Sequence, residues 1–447
     1  MSPETSTETS PATSEHDARY DADVIVIGGG PAGSAISSYL AMNGYSTALF
    51  EREIHPREHV GESLVPATNR VLEDIGFWPK MGNYGWVPKP GATWTGYKGR
   101  VGSEVVVTFA DVKMENINQD YTYHVDRGRF DNELLKHAQT LGVRVIEGAN
   151  VMRLNTDGAG RATGVRVRIL DQEIDFRSRF VVDASGRRGL IGKQMGLWRK
   201  DEQFDQMAVY SWFRNVKAPS EDTHDYIHVH FLPIERGWVW QIPIYEDTTS
   251  VGVVVEKSVF QQSGKDYEAF FHDVTQMSNN TKHILSDAER VRDWYVEGDY
   301  SYKMDRFTGD GWMLVGDAAR FVDPIFSSGV SVAVNSAKFA FDALDVSLKG
   351  GDEAEAFAAY NEKVSRGVQI WYEWITIYYK LQALFTRLGK DKENKRQMQQ
   401  LLQGDVYDRN AVDVLDKMKA LVKAVEENEN HLYRAYLSDS ITIVDGS

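Results

Sequence analysis

The sequence predicts an α/β fold, with a Rossmann-like dinucleotide-binding domain near the N-terminus and a helical region at the C-terminus. Three observations lead there. An apolar strand, "DVIVI" at 23–27, runs into three glycines and a helix of small residues. A second strand–glycine–helix passage, "GWMLVGDAARFVDPIFSSGVSVAVNSAKFAFDAL", occupies 311–344. From about residue 346 onward the apolar residues recur at helical spacing.

The first passage is the strongest motif. In "DVIVIGGGPAGSAISSYLAMNGYSTALFERE", 23–53, the strand Val24 to Ile27 meets Gly28-Gly29-Gly30-Pro31-Ala32-Gly33. Spaced glycines permit the tight turn, the close approach of a pyrophosphate and close helix–strand packing. The helix start offers free N–H groups and the positive end of its dipole to phosphates. A second strand, Ser46 to Phe50, ends at Glu51, about 20 residues past the glycines, where an acid accepts ribose hydroxyls. The later passage runs from the strand Trp312–Val315 into Gly316-Asp317, where an acid at a strand end can grip sugar-chain hydroxyls. Its helix start near Ser328-Gly329 can aim amides at an electron-rich ring edge or a small anion.

Composition narrows the function classes. The chain has 447 residues, 42% hydrophobic and 26% charged, ordinary values for a globular protein of two or three packed regions. Its net charge of −15 argues against binding nucleic acid or an anionic membrane through bulk charge. With no cysteine there are no disulfides, thiolate metal sites or cysteine nucleophiles. Residues 1–20, rich in Ser, Thr, Pro and Glu, read as a disordered tail and not a signal peptide. No run of about 18 apolar residues suggests a membrane span, and the expected location is cytoplasmic.

Other stretches carry less. "HVDRGRFDNELLKHA", 124–138, places Arg127 ahead of an amphipathic helix, and "FVVDASGRRGLIG", 180–192, is another strand entering a glycine turn. "GWVWQIPI", 237–244, reads as a strand with Trp238, Trp240 and Ile242 on one face. Most such pairs only pack a core. His228 and His230 share a strand face, but no carboxylate spacing supports a metal, so sheet surface or pocket lining is expected. "QIWYEWITIYYKLQALFTRL", 369–388, puts Trp371, Trp374, Tyr378, Leu381 and Phe385 on one helical face. That face reads as core, and next as a lid over a substrate tunnel. Charged helical segments follow at 390–403 and 410–428.

Glycine motif, Arg127 segment, "DASG" and "GDAA" occur in the order of the FAD fold of the p-hydroxybenzoate hydroxylase class, which the chain resembles over about 21–345. The resemblance implies an inserted mixed β-sheet substrate region, about 85–125 and 195–305, with 346–447 as a separate helical part. Within that class the chain resembles the flavin-dependent halogenases. Their Trp-x-Trp-x-Ile-Pro is matched by Trp238, Trp240, Ile242 and Pro243, and their Phe-x-x-Pro-x-x-Ser-x-Gly by Phe321, Pro324, Ser327 and Gly329. "HVGESLVPAT", 59–68, also fits. The branch resembled most is the pyrrole and phenol branch, of the pyoluteorin type.

The resemblance implies reduced FAD from a separate NAD(P)H-dependent flavin reductase, oxygen, and chloride or bromide, giving hypohalous acid. It places FAD against the glycine loop (Gly28, Gly30, Pro31, Ala32, Gly33), Glu51, Arg52, Glu62, Ser63, Arg127, Asp317, Pro324, Gly329 and Val330. The halide would meet backbone amides at Ser328 and Gly329. Trp238 and Trp240 would keep substrate and water from the oxidant. Lys89, in "PKPGATW", matches the lysine that carries the halogen; a lysine in an apolar tunnel loses its proton readily and becomes nucleophilic. Tryptophan halogenases have a glutamate where this chain has Phe326, which argues against free tryptophan and for a more electron-rich ring. The expected substrate is a pyrrole on a peptidyl or acyl carrier protein, and a homodimer is compatible with the sequence. A halogenase of a free phenol, a single-component aromatic hydroxylase and a non-catalytic flavin protein are the alternatives.

Overall fold

The computed structural model describes residues 19–443, apart from 97, 99–100, 102–103, 116, 299–300 and 409–411. The tail expected over 1–20 therefore lies almost wholly outside the described residues.

The strand Ala22–Ile27 lies between two parallel neighbours, Thr47–Phe50 and the last part of Gln172–Asp183. Arg144–Ile146 and Trp312–Leu314 extend the sheet in parallel on either side. A Val/Ile run enclosed on both faces is what a central parallel strand requires, and Val24, Ile25 and Val26 have no exposed surface. The helix Pro31–Met42 packs its small residues against the long helix Gly329–Leu348. The early part of Gln172–Asp183 belongs to an antiparallel meander with Ala162–Ile169 and Ala149–Thr156. That meander was not legible in the sequence.

A second, mixed sheet has the order Glu289–Arg290, Gln206–Arg214, Thr248–Glu256, Trp238–Tyr245, Ile227–Phe231, Gly91–Thr95, Val105–Thr108. Only the pair Ile227–Phe231 and Gly91–Thr95 is parallel. Alternation gives it two unlike faces. One carries Trp94, Ala208, Trp212, Ile227, Trp238, Trp240 and Ile242. The other is covered by the helix Tyr267–Thr275, whose Phe270, Phe271 and Val274 join Val239, Val253 and Val255 in a separate core.

The histidines sit on that covered face, which corrects the expectation of sheet surface or pocket lining. His228 and His230 have no exposed surface. Each Nδ1 shares a hydrogen bond with a threonine of the neighbouring strand, Thr93 at 2.7 Å and Thr95 at 2.8 Å. Their threonine partners make these polar rings compatible with burial.

The helix Gly329–Leu348 continues across residue 345, and Glu353–Lys380 packs beside it. The aromatic stripe read over 369–388 is not one helix face. The helix ends at Lys380, Leu381 leaves helical geometry (φ −155°, ψ 77°), and Phe385 belongs to the short helix Ala383–Leu388. Aromatic packing still gathers the side chains across the break: Phe385 lies 4.9 Å from Trp374 and 4.8 Å from Tyr378 between ring centroids. Lys392–Leu402 and Asp413–Glu426 complete the helical part. Among the described residues no helix is long and apolar enough to cross a membrane.

Candidate active site

The glycine loop divides its work. Gly28 has φ +103°, and a Cβ there would sit 2.5 Å from the Ala184 carbonyl oxygen. A Cβ on Gly33 would overlap the Gly28 carbonyl. These two glycines are required by the turn and by helix–strand packing. Gly30 is different. A Cβ there meets only Arg57, at 3.5 Å, and the residue faces a cavity of about 410 Å³. The fold leaves Gly30 bare toward open space, as a close-approaching pyrophosphate needs. Gly30→Val is therefore expected to weaken FAD binding by at least about tenfold while melting of the apoprotein stays near wild type. Affinity measured by flavin fluorescence checks this; unchanged affinity places the dinucleotide elsewhere.

The cavity runs between the two sheets. Its lining includes Gly28, Gly30, Pro31, Ala32, Glu51, Arg52, Glu62, Ser63, Arg127, Asp317, Pro324, Gly329 and Val330, with Trp238 and Trp240 on the far wall. Glu51 is fixed by two backbone amides, Gly29 at 2.6 Å and Glu53 at 2.8 Å, which hold its carboxylate at the end of the second strand. Burial pushes Asp317 up to about 6, against the pull of Arg187 and Arg127. Burial likewise pushes Glu62 up to about 7, against Ser250 and Trp212. One Glu62 oxygen accepts from the Trp212 indole at 2.6 Å and the other is buried without a partner. Arg127 reaches the cavity but is already engaged. Its Nε and Nη2 donate to Asp131 at 2.8 and 3.0 Å and its Nη1 to the Val60 carbonyl at 2.7 Å. These bonds tie the 60–63 turn to the start of the helix Arg127–Thr140.

The loop before Gly329–Leu348 makes a sharp entry. Asp323 caps a short 3₁₀ turn, Pro324–Phe326, and Ser327 takes φ +58°. That left-handed residue swings the chain so that the helix start meets the cavity, with first-turn amides that have no intrahelical acceptor. Ser327 and Gly329 line the cavity. Ser328 does not, and its buried hydroxyl has no partner.

The tryptophans lie in the second sheet with ring centroids 6.0 Å apart, tilted by 52°. Trp240 lies over Gly252, where a Cβ would overlap the indole. Its Nε1 donates to Ser250 at 3.1 Å. Trp238 donates to Tyr379 of the helix Glu353–Lys380 at 2.9 Å.

Lys89 is placed apart from the main cavity's lining. It lies on the short strand Pro88–Lys89, paired with Thr122–Tyr123. The side chain is 2% exposed and donates to the Leu64 carbonyl at 2.6 Å, one residue from the cavity-lining Ser63. The Phe109 ring lies 5.5 Å from Nζ. Burial lowers the amine to about 7. His124, just past the paired strand and bridged to Ser63, is also buried, with Nδ1 unpartnered. Burial, with Lys89 adding to it, holds that imidazole well below its ordinary value. Lys89 is thus a buried amine with a single oxygen partner, close to one end of the cavity.

Phe326 fills the position of the missing glutamate. It packs against Trp374 at 5.5 Å and Tyr378 at 5.0 Å, so the surroundings of this position are aromatic. Sequence reading missed Trp212, His124, Asp323 and Tyr379. Asp323 was signalled only by standing before Pro324, a pairing that favours turns; Tyr379 had no signal beyond the aromatic run. Among the described residues no group of three or more His, Asp or Glu could hold a metal.

Comparison with known proteins agrees with this geometry. Residues 21–372 match the FAD binding domain family. The chain is 43% identical over 437 residues to the 1H-pyrrole-2-carbonyl-(peptidyl-carrier protein) chlorinase of Pseudomonas fluorescens, covering 94% of this chain and 97% of the relative. It is 29% identical over 410 residues to the corresponding brominase of Pseudoalteromonas luteoviolacea, covering 88% and 97%. The structure of the flavin-dependent brominase Bmp2 superposes with a TM-score of 0.83 at 27% identity, covering 91% of this chain and 99% of that one. Fold and site together define a flavoprotein whose cofactor is FAD. The chain belongs to the FAD-binding family and, within it, to the flavin-dependent halogenases.

Proposed function

We propose that this halogenase acts on a pyrrole-2-carbonyl group carried by a peptidyl carrier protein, using chloride or bromide. The observation that carries the reading is Phe326, a phenyl ring packed among aromatic neighbours where the tryptophan enzymes have a glutamate. A pyrrole is electron-rich enough to need none. The names of the two relatives that act on this substrate support the same reading.

FAD would lie with its pyrophosphate over Gly30, a ribose at Glu51 and its ribityl chain at Asp317. When bound and reduced, FAD activates oxygen so that a halide becomes hypohalous acid. The helix start at Gly329, which lines the cavity where Ser328 does not, would hold the halide through its amide. Trp238 and Trp240 wall the reaction from water. Lys89, whose burial favours the neutral amine, takes the halogen: its N–X bond forms as the O–X bond breaks, and water leaves with the amine proton. The helix Glu353–Lys380 lies over Phe326 and acts as a lid that the carrier-borne ring must pass. Reduced FAD comes from a separate NAD(P)H-dependent reductase.

The test supplies purified protein with a flavin reductase, chloride or bromide, and a panel of carrier-bound pyrrole and free phenols, read by mass spectrometry. Halogenated carrier-bound pyrrole is the expected product. Halogenation of free phenols alone overturns the substrate, and oxygenated product with no halide requirement overturns the reaction.

A further inference from the structure

We propose that Tyr379 and Asp323 are positioning residues for Trp238, so that the helix Glu353–Lys380 sets the wall of the active site. The inference rests on the halogenase reading above for what the wall does, and on hydrogen-bond geometry for how it is held.

The chain of contacts is complete and one-directional. The Trp238 indole can only donate, and does so to the Tyr379 hydroxyl at 2.9 Å. That hydroxyl donates its own proton to Asp323 Oδ1 at 3.0 Å. The same Asp323 oxygen accepts the Ile325 amide at 3.0 Å, fixing the turn that leads to Gly329. All three side chains are buried, at 3%, 4% and 2% exposure, so losing one partner leaves a buried polar group unpaired. Each side-chain bond joins segments far apart in sequence, by 141 and 56 residues. A strand, the helix Glu353–Lys380 and the 324–329 loop therefore meet in one line.

The neighbouring tryptophan offers a contrast. Trp240 donates to Ser250 on an adjacent strand, a bond made within the sheet alone. Only Trp238 depends on the helix Glu353–Lys380. Nor does this helix pair every buried group it brings, since the indoles of Trp371 and Trp374 have no partner. Tyr379 is the residue that ties this helix to both signature segments.

Both bonds at Asp323 fall on one oxygen, which makes the idea sharp. An asparagine carbonyl can accept both, so charge is dispensable and geometry is not. Three variants test this: Tyr379→Phe, Asp323→Asn and Asp323→Ala. The first readout needs no flavin: solvent exchange of the Trp238 indole N–H by NMR on indole-15N-labelled protein. Exchange should quicken by about tenfold, the weight of one hydrogen bond, in Tyr379→Phe and Asp323→Ala, and stay near wild type in Asp323→Asn. The second readout is hydrogen peroxide released per halogenated product, in protein matched for melting and FAD content. It should rise several-fold in the first two and not in Asp323→Asn. Asp323→Asn behaving like Asp323→Ala overturns the proposal, as does Tyr379→Phe keeping wild-type exchange and peroxide ratio. If Asp323→Ala does not fold, Tyr379→Phe against Asp323→Asn decides alone. Wild-type protein that halogenates nothing defeats the halogenase reading, and the exchange measurement still judges the geometry.

Discussion

Lys89→Met is expected to leave FAD binding and oxygen consumption largely intact while halogenated product falls by about 100-fold or more, the weight of a lost proton-transfer or nucleophilic group. Methionine suits the site: it is unbranched, apolar and similar in length, and the lysine lies buried against Phe109. What it removes is the amine and its bond to the Leu64 carbonyl. The FAD contacts proposed above lie along the cavity lining, which does not include Lys89, so flavin content should hold. Product measured by mass spectrometry at near wild-type rate would take Lys89 out of the mechanism.

The same substitution has a second, independent signature in stability. Burial lowers Lys89 from its ordinary 10.5 to about 7. Below about pH 7 the amine is protonated in both folded and unfolded chains, and the full cost of burying the charge is present. Between about 7 and 10.5 the unfolded chain binds a proton that the folded one does not, so stability from this group rises with pH across that window. Above it the cost is gone. Lys89→Met deletes the group, so its advantage over wild type is greatest at or below pH 7 and shrinks toward pH 10.5. Urea melts across this range read the difference. A constant difference between the two proteins would mean the lysine keeps its ordinary basicity. Activity should follow the same proton, rising with pH through about 7 as the neutral amine forms.

What the sequence showed of this molecule followed from local rules. The glycine loop, its two strands and Glu51 were legible because turn, packing and phosphate approach each demand a residue type at fixed spacing. The Trp238 and Trp240 alternation was legible because a strand has period two. Period two does not say which face points where, and so His228 and His230 were expected at the surface or in a pocket and are instead fully buried on the sheet face opposite the tryptophans. Asp323 and Tyr379 escaped for a different reason. Their meaning is a hydrogen bond across 56 residues, and nothing local to either announces the partner. Arg127 was expected at the cofactor from the resemblance, and it does line the cavity; its pairing with Asp131 one turn on, an i,i+4 spacing, was not drawn from the sequence.

Trp240→Ala is expected to lower stability by about 3–5 kcal/mol, the cost of removing a buried indole, and to uncouple oxygen use from halogenation. The side chain is 5% exposed. It rests on Gly252, packs 5.5 Å from the Tyr210 ring, and shares the cavity wall with Trp238. A glycine beneath the ring has no side chain to move into the void, so the site cannot close over it. Tyr210 is itself held by Tyr295, stacked at 5.6 Å, which limits its collapse. The void opens on the cavity, so water can enter where the oxidant forms. Hydrogen peroxide per halogenated product should then rise several-fold, and no hydroxylated substrate need appear, since the hole admits water before it admits a ring. Trp240→Phe keeps part of the wall and should fall between the two. The stability and coupling effects separate when peroxide and product are compared in protein whose melting and flavin content confirm that it is folded. A folded Trp240→Ala that retains wild-type coupling would leave the indole as packing for the sheet and nothing more.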